Sequence, residues 1–122
     1  MHLSPLRYIL HVEDEILIAL DVEASLLNAG VQAVTHVASC ADALKTIQFS
    51  PPDLAILDIE VLDGNTAPVA DLLKSLNVPF VLYTGSAVAG GLRSFDGATF
   101  LEKPARSADL VEAVRALAGI SQ

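Results

Sequence analysis

Residues Leu54 to Leu57 form an unbroken apolar run, Leu-Ala-Ile-Leu, with Pro51 and Pro52 ahead of it and Asp58 behind it. A short run without alternation has the pattern of a strand buried on both faces. The prolines cannot continue a helix, so they separate the run from whatever precedes it. Glu60 and Asp63 come soon after Asp58, and Asp63-Gly64 is a turn signal. In open α/β sheets, ligands bind outside the carboxyl ends of the strands. The chemistry therefore depends on what else the chain delivers to that edge.

Four more strands are expected around this one. Tyr8 to Val12 is apolar except for His11 and runs directly into Glu13, Asp14 and Glu15. Ile16 to Ala29 then carries Ile16, Leu17, Leu20, Ala24 and Leu27 at the spacing of an amphipathic helix, with Glu13 or Asp14 as its cap and Gly30 as its stop. Val31 to Val37 is β-branched and alternating, a second strand. Ser39 starts a helix to about Phe49, with Asp42 placed for a capping box. After the central strand, Asn65 or Thr66 caps a helix that closes at Asn77-Val78-Pro79. Phe80 to Tyr83 is the fourth strand, ending in Thr84-Gly85-Ser86, and Thr99 to Glu102 is the fifth, ending in Lys103-Pro104. Ser107 caps a last helix through Ala118.

The segment between the last two strands is the irregular one. Gly90-Gly91 falls where a helix should cross back, and each glycine costs about 1 kcal/mol relative to alanine inside a helix. A short or absent fourth helix is expected over Ala87 to Gly97. Strands alternating with helices give an α/β fold, a parallel sheet covered on both faces, with right-handed crossovers.

Composition narrows the function. The chain has 122 residues, read as one domain over 1–122 with no output domain expected. Its net charge of −8 opposes direct nucleic-acid binding, which rests on neutralising phosphates. No apolar run approaches the ~18 residues of a membrane helix, and Met1 to Arg7 does not form a signal peptide. A lone Cys40 makes no intramolecular disulfide, and the cytoplasm is the expected location. Cys40 reads as a small packing residue and His11 as a strand residue packed in the sheet.

A parallel sheet gathers Glu13 and Asp14, then Asp58, then Thr84, then Lys103 at one edge. Two unit charges 4 Å apart interact by about 4 kcal/mol at an effective dielectric near 20. Three carboxylates should not sit bare together: either one is protonated or a cation joins them. Oxygen ligands with room for water suit Mg²⁺.

In these features the chain resembles a response-regulator receiver domain over nearly its whole length. The resemblance is carried by Val12-Glu13-Asp14-Glu15, Leu57-Asp58, Asp63-Gly64, Thr84, and Phe100-Leu101-Glu102-Lys103-Pro104, in order and each at a strand end or in the loop beyond it. It implies a doubly wound, flavodoxin-like sheet of order 2-1-3-4-5. It also implies that Asp58 takes a phosphoryl group from a histidine kinase or histidine phosphotransfer protein. Glu13, Asp14, Asp58 and the backbone carbonyl of Glu60 would hold Mg²⁺ or Mn²⁺. Lys103 and Thr84 would contact phosphoryl oxygens, Thr84 and Phe100 would form the switch, and Pro104 would follow a cis bond. Output partners would use the face of the fourth helix, fifth strand and fifth helix.

Two features depart from the family pattern. The loop Glu60-Val61-Leu62-Asp63-Gly64 lacks the proline many members carry, and only 19 residues (103 − 84) separate Thr84 from Lys103. The expected function is a phosphorylation-controlled binding module, relay or sink, which acts chemically only on itself and is not a turnover enzyme. Three alternatives stand beside it. Asp58-Ile59-Glu60 resembles the two-acid motif of aspartate-nucleophile phosphatases; the chain could be a pseudo-receiver that binds partners without phosphorylation; or it is a fragment of a longer regulator.

Overall fold

The computed structural model describes residues 3–85 and 93–121. Five parallel strands form the main sheet: β1 (Tyr8–Val12), β2 (Ala33–Val37), β3 (Leu54–Leu57), β6 (Phe80–Thr84) and β7 (Thr99–Glu102). Between β3 and β6 lies a ribbon of β4 (Glu60–Val61) and β5 (Gly64–Asn65). The sheet order is β2-β1-β3-β6-β7, the doubly wound order expected when its five strands are counted in sequence. Register aligns the strand ends. Val12 lies opposite both Val37 and Leu57, Leu57 opposite Leu82, and Thr84 opposite Glu102.

Among the described residues, four helices cover the sheet: α1 (Ile16–Asn28), α2 (Cys40–Phe49), α3 (Ala67–Ser75) and α4 (Ser107–Leu117). On one face Leu10, Val12, Leu57 and Leu82 pack with Ala43 and Ile47 of α2 and Val69 and Leu73 of α3. On the other, Ile9, Ile56, Val81 and Tyr83 pack with Val22 and Leu26 of α1 and Leu110 and Val114 of α4. All four residues of β3 are buried, as its unbroken apolar run requires. No helix among the described residues is long and apolar enough to cross a membrane.

Several local expectations change. The row Ile16, Leu17, Leu20, Ala24 and Leu27 is not the buried face of α1. Those residues are exposed, Leu17 by 78%, and α1 packs through Ala19, Val22 and Leu26. Helix α1 is apolar on two sides, and spacing alone does not say which side meets the sheet. Its N-cap is Glu15, not Glu13 or Asp14, and makes no side-chain bond. Arg106 rather than Ser107 caps α4, again without a side-chain bond. Val31 is buried but precedes β2. Of the two cap candidates for α3, Asn65 makes the bond, accepting from Ala67 N at 2.7 Å, because the Thr66 hydroxyl is used elsewhere. Ser39 does cap α2, accepting from Asp42 N at 3.1 Å. The fourth-helix expectation falls largely on residues 86–92, outside the described residues. Beyond them, Arg93–Phe95 forms a single 3-10 turn with Phe95 buried.

Candidate functional site

The carboxyl edge of β1 and β3 brings three acids together. Glu13, Asp14 and Asp58 each place an oxygen within 4.8 Å of the others. Glu13 is held in line with β1 by its N–H, which donates to Val37 O at 2.9 Å. Its carboxylate turns back on the chain, where Oε2 accepts from Glu15 N at 3.1 Å. Asp58 is fixed from three sides. Its N–H donates to Val12 O at 3.0 Å. Its Oδ1 accepts from Ile59 N at 2.8 Å, and its carbonyl accepts the buried Thr66 hydroxyl at 2.7 Å.

Among the described residues, one cation reaches this group. Lys103 Nζ lies 2.9 Å from Asp58 Oδ2 and 2.6 Å from Glu13 Oε1. The Lys103–Pro104 bond is cis, as the resemblance implied. Lys103 N donates to Thr84 O at 2.9 Å, which ties the end of β7 to the end of β6. The Tyr83 ring supports the ammonium at 5.8 Å, and the Tyr83 hydroxyl accepts from Ala105 N at 3.1 Å.

The charges do not balance. Burial pushes the Glu13 carboxyl above its usual range, against the pull of Lys103 and the Glu15 N–H. Burial also opposes the Lys103 charge, but its hydrogen bonds to Glu13 and Asp58 outweigh that and raise its pKa. Lys103 therefore stays charged beside three carboxyl groups. The donor set is entirely carboxylate oxygen, partly open to solvent through exposed Asp14. Such a set fits a small hard divalent cation such as Mg²⁺ or Mn²⁺ and not a thiolate-seeking metal.

The remaining candidates fall around this centre. Thr84 is buried at the end of β6, next to β3. Phe100 lies in β7 opposite Leu82 and is 42% exposed, so it is no core phenylalanine. Glu60 begins the ribbon with its side chain exposed and its carboxylate outside the cluster. Asp63 turns away to cap α2, accepting from Cys40 N at 2.7 Å and Ala41 N at 3.1 Å. Those donors hold its carboxyl below the usual range.

Sequence reading missed two contributors. Thr66 was read only as a candidate helix cap and Tyr83 only as a strand residue, whereas the Thr66 hydroxyl holds the Asp58 carbonyl and the Tyr83 ring lies 5.8 Å from the Lys103 ammonium. Their signal is position: each lies within a few residues of a strand end. His11 is buried in the sheet, as expected.

No family model matches the chain. The phyllosphere-induced regulator PhyR of Methylorubrum extorquens is 37% identical over 79 residues, 62% of this chain and 30% of that protein. The chain thus spans about 30% of the length of that curated relative. The solution structure of SdrG from Sphingomonas melonis superposes with a TM-score of 0.81 at 35% identity, covering 93% of this chain and 98% of that one. A response regulator receiver protein from Sinorhizobium medicae superposes with a TM-score of 0.80 at 30% identity, covering 93% and 95%.

Proposed function

The chain belongs to the response-regulator receiver family, and from that premise we propose that it accepts a phosphoryl group on Asp58 from a histidine kinase or histidine phosphotransfer protein. The observation that carries this reading is the Asp58 carboxylate itself, fixed at a strand end inside an acidic cluster and 2.9 Å from Lys103 Nζ. An Asp58 oxygen attacks phosphorus, the O–P bond forms as the P–N bond of the phosphohistidine breaks, and the electron pair leaves with the imidazole nitrogen. Lys103 balances charge on one phosphoryl oxygen, and the Thr84 hydroxyl donates to another. Positioning and electrostatics are most of what phosphoryl transfer asks of a protein.

Glu13, Asp14, Asp58 and the Glu60 carbonyl would hold Mg²⁺ or Mn²⁺. When bound, the ion neutralises the acids and the charge of the incoming group. The protein acts chemically on itself alone, gaining and losing its own phosphoryl group, and works in the cytoplasm as a binding module, relay or sink.

The added group brings about 1.5 to 2 negative charges and strong acceptors to the edge. Thr84 shifts toward it, and Phe100 turns into the space left behind. The partner-binding face then changes along β7 and α4. Phosphotransfer from candidate kinases to wild type and to Asp58→Ala tests the reading. Label is expected on wild type only; equal labelling of Asp58→Ala overturns it.

A further inference from the structure

His11 is the buried titratable side chain that the phosphoacceptor reading leaves unused. It lies two residues before Glu13 on β1, on the same sheet face, and is fully buried. Its neighbours in register are His36 and Ile56. Neither ring nitrogen has a hydrogen-bond partner among the described residues. Burial holds the imidazole neutral, with a pKa pushed down to about 3. A valine or isoleucine at this strand position would avoid the cost of a buried polar group left without a partner.

The nearest acceptor is Glu13 Oε1, 4.0 Å from His11 Nε2. That oxygen is also buried without a well-directed hydrogen bond, and its close neighbour is the Lys103 ammonium at 2.6 Å. A carboxylate oxygen only accepts, so the nitrogen facing it is the one that carries hydrogen in the neutral ring. His36 braces the same turn from the other side, with Nε2 2.5 Å from Glu13 O. Its ring centroid lies 6.1 Å from that of His11.

We propose that His11 is a positioning residue for Glu13: its Nε2–H takes over Glu13 Oε1 when Lys103 turns from that oxygen to an incoming phosphoryl group. The inference rests on the phosphoacceptor reading above. In the resting protein Lys103 is shared between Glu13 and Asp58, and His11 stands back. Once Lys103 engages the phosphoryl oxygens, Glu13 Oε1 closes the remaining gap to His11. Its other oxygen, Oε2, keeps its bond from Glu15 N, so the carboxylate is held at both oxygens. Hydrogen-bond partners of ligating carboxylates fix their orientation in this way, and their loss weakens metal binding about 10-fold or more.

The test uses the whole chain with Mg²⁺ and beryllofluoride, a phosphoryl mimic. The first readout is the His11 ring by ¹⁵N NMR in wild type. The Nε2–H signal is expected to move downfield to a hydrogen-bonded position when the mimic is added with Mg²⁺. The second is Mg²⁺ affinity by calorimetry in the presence of the mimic. His11→Phe is expected to bind about 10-fold more weakly, and His11→Gln, which keeps an N–H donor, within about 2-fold of wild type. An unmoved His11 signal, or His11→Phe binding as wild type does, overturns the role of His11 and leaves the phosphoacceptor reading standing. Wild type that binds neither Mg²⁺ nor the mimic overturns both.

Discussion

The carboxyl edge of the sheet has two unlike halves. On the β1–β3 side, Ile9 to Val12 and Leu54 to Leu57 are buried, and both strands run into acids held by backbone hydrogen bonds. Thr66 pins the Asp58 carbonyl from beneath, and the β4–β5 ribbon closes over the α2 start through Asp63. On the β6–β7 side, β6 is buried, but β7 is an edge strand with Thr99, Phe100 and Glu102 exposed. The contrast suits the two tasks of the proposed function. Phosphoryl chemistry needs acids that do not move, while a readout needs an aromatic that has somewhere to go. Lys103 joins the halves, since it leaves the end of β7 and lands between Glu13 and Asp58.

Breaking that bridge should give the largest effect. Lys103→Met removes the cation 2.9 Å from Asp58, the proposed phosphoacceptor, and the rate of transfer to Asp58 should fall about 100-fold or more, in line with the loss of one preorganised charge donor. Initial rates from a phosphorylated kinase check this, and a change under about 3-fold would place the lysine outside the chemistry.

The fixed half should also be the costly one to perturb. Thr66→Val leaves the buried Asp58 carbonyl without its hydroxyl partner and should lower stability by about 1–3 kcal/mol in denaturant titrations. An unaffected midpoint would mean that Asp58 is not pinned from below.

A pH measurement sharpens the same point. Cys40 sits in the fixed half, its Sγ donating to Asn65 O at 3.2 Å. Burial pushes its thiol up to about 11 from an ordinary 9.0. A raised folded pKa means the contribution is whole below pH 9.0 and is lost as pH rises through about 11. Wild type should therefore lose about 1 kcal/mol per pH unit relative to Cys40→Ala over that window. Parallel curves for the two proteins would show a thiol that titrates normally.

The smallest change belongs to the other half. Phe100→Ala should cost about 1 kcal/mol or less, against the 3–5 kcal/mol of a fully buried phenylalanine, because its ring is already 42% exposed. A loss near 4 kcal/mol would make Phe100 structural and remove it from the switch.

The architecture was readable because the strands announce themselves. Leu54 to Leu57, set off by the prolines before it and Asp58 behind it, has the pattern of a doubly buried strand, and each acid, hydroxyl or amine at a strand end then falls at one edge by topology. Glu13, Asp14, Asp58 and Lys103 converge for that reason. What spacing could not supply was direction. Helix α1 offers two apolar rows, and the sheet takes Ala19, Val22 and Leu26. Hydroxyls and carboxylates were ambiguous in the same way. Thr66 was read as a candidate helix cap and Asp63 as part of a turn; tertiary packing gives the Thr66 hydroxyl to the Asp58 carbonyl and the Asp63 carboxylate to the start of α2.

Covalent mapping of the phosphoryl group tests the central claim most directly. After incubation with a phosphorylated kinase and Mg²⁺, borohydride reduction followed by peptide mass spectrometry should find homoserine in place of Asp58. Without donor or with the metal chelated, Asp58 should be recovered unchanged. Reduction at another acid, or an intact Asp58 beside every donor that phosphorylates other receivers, would contradict the account.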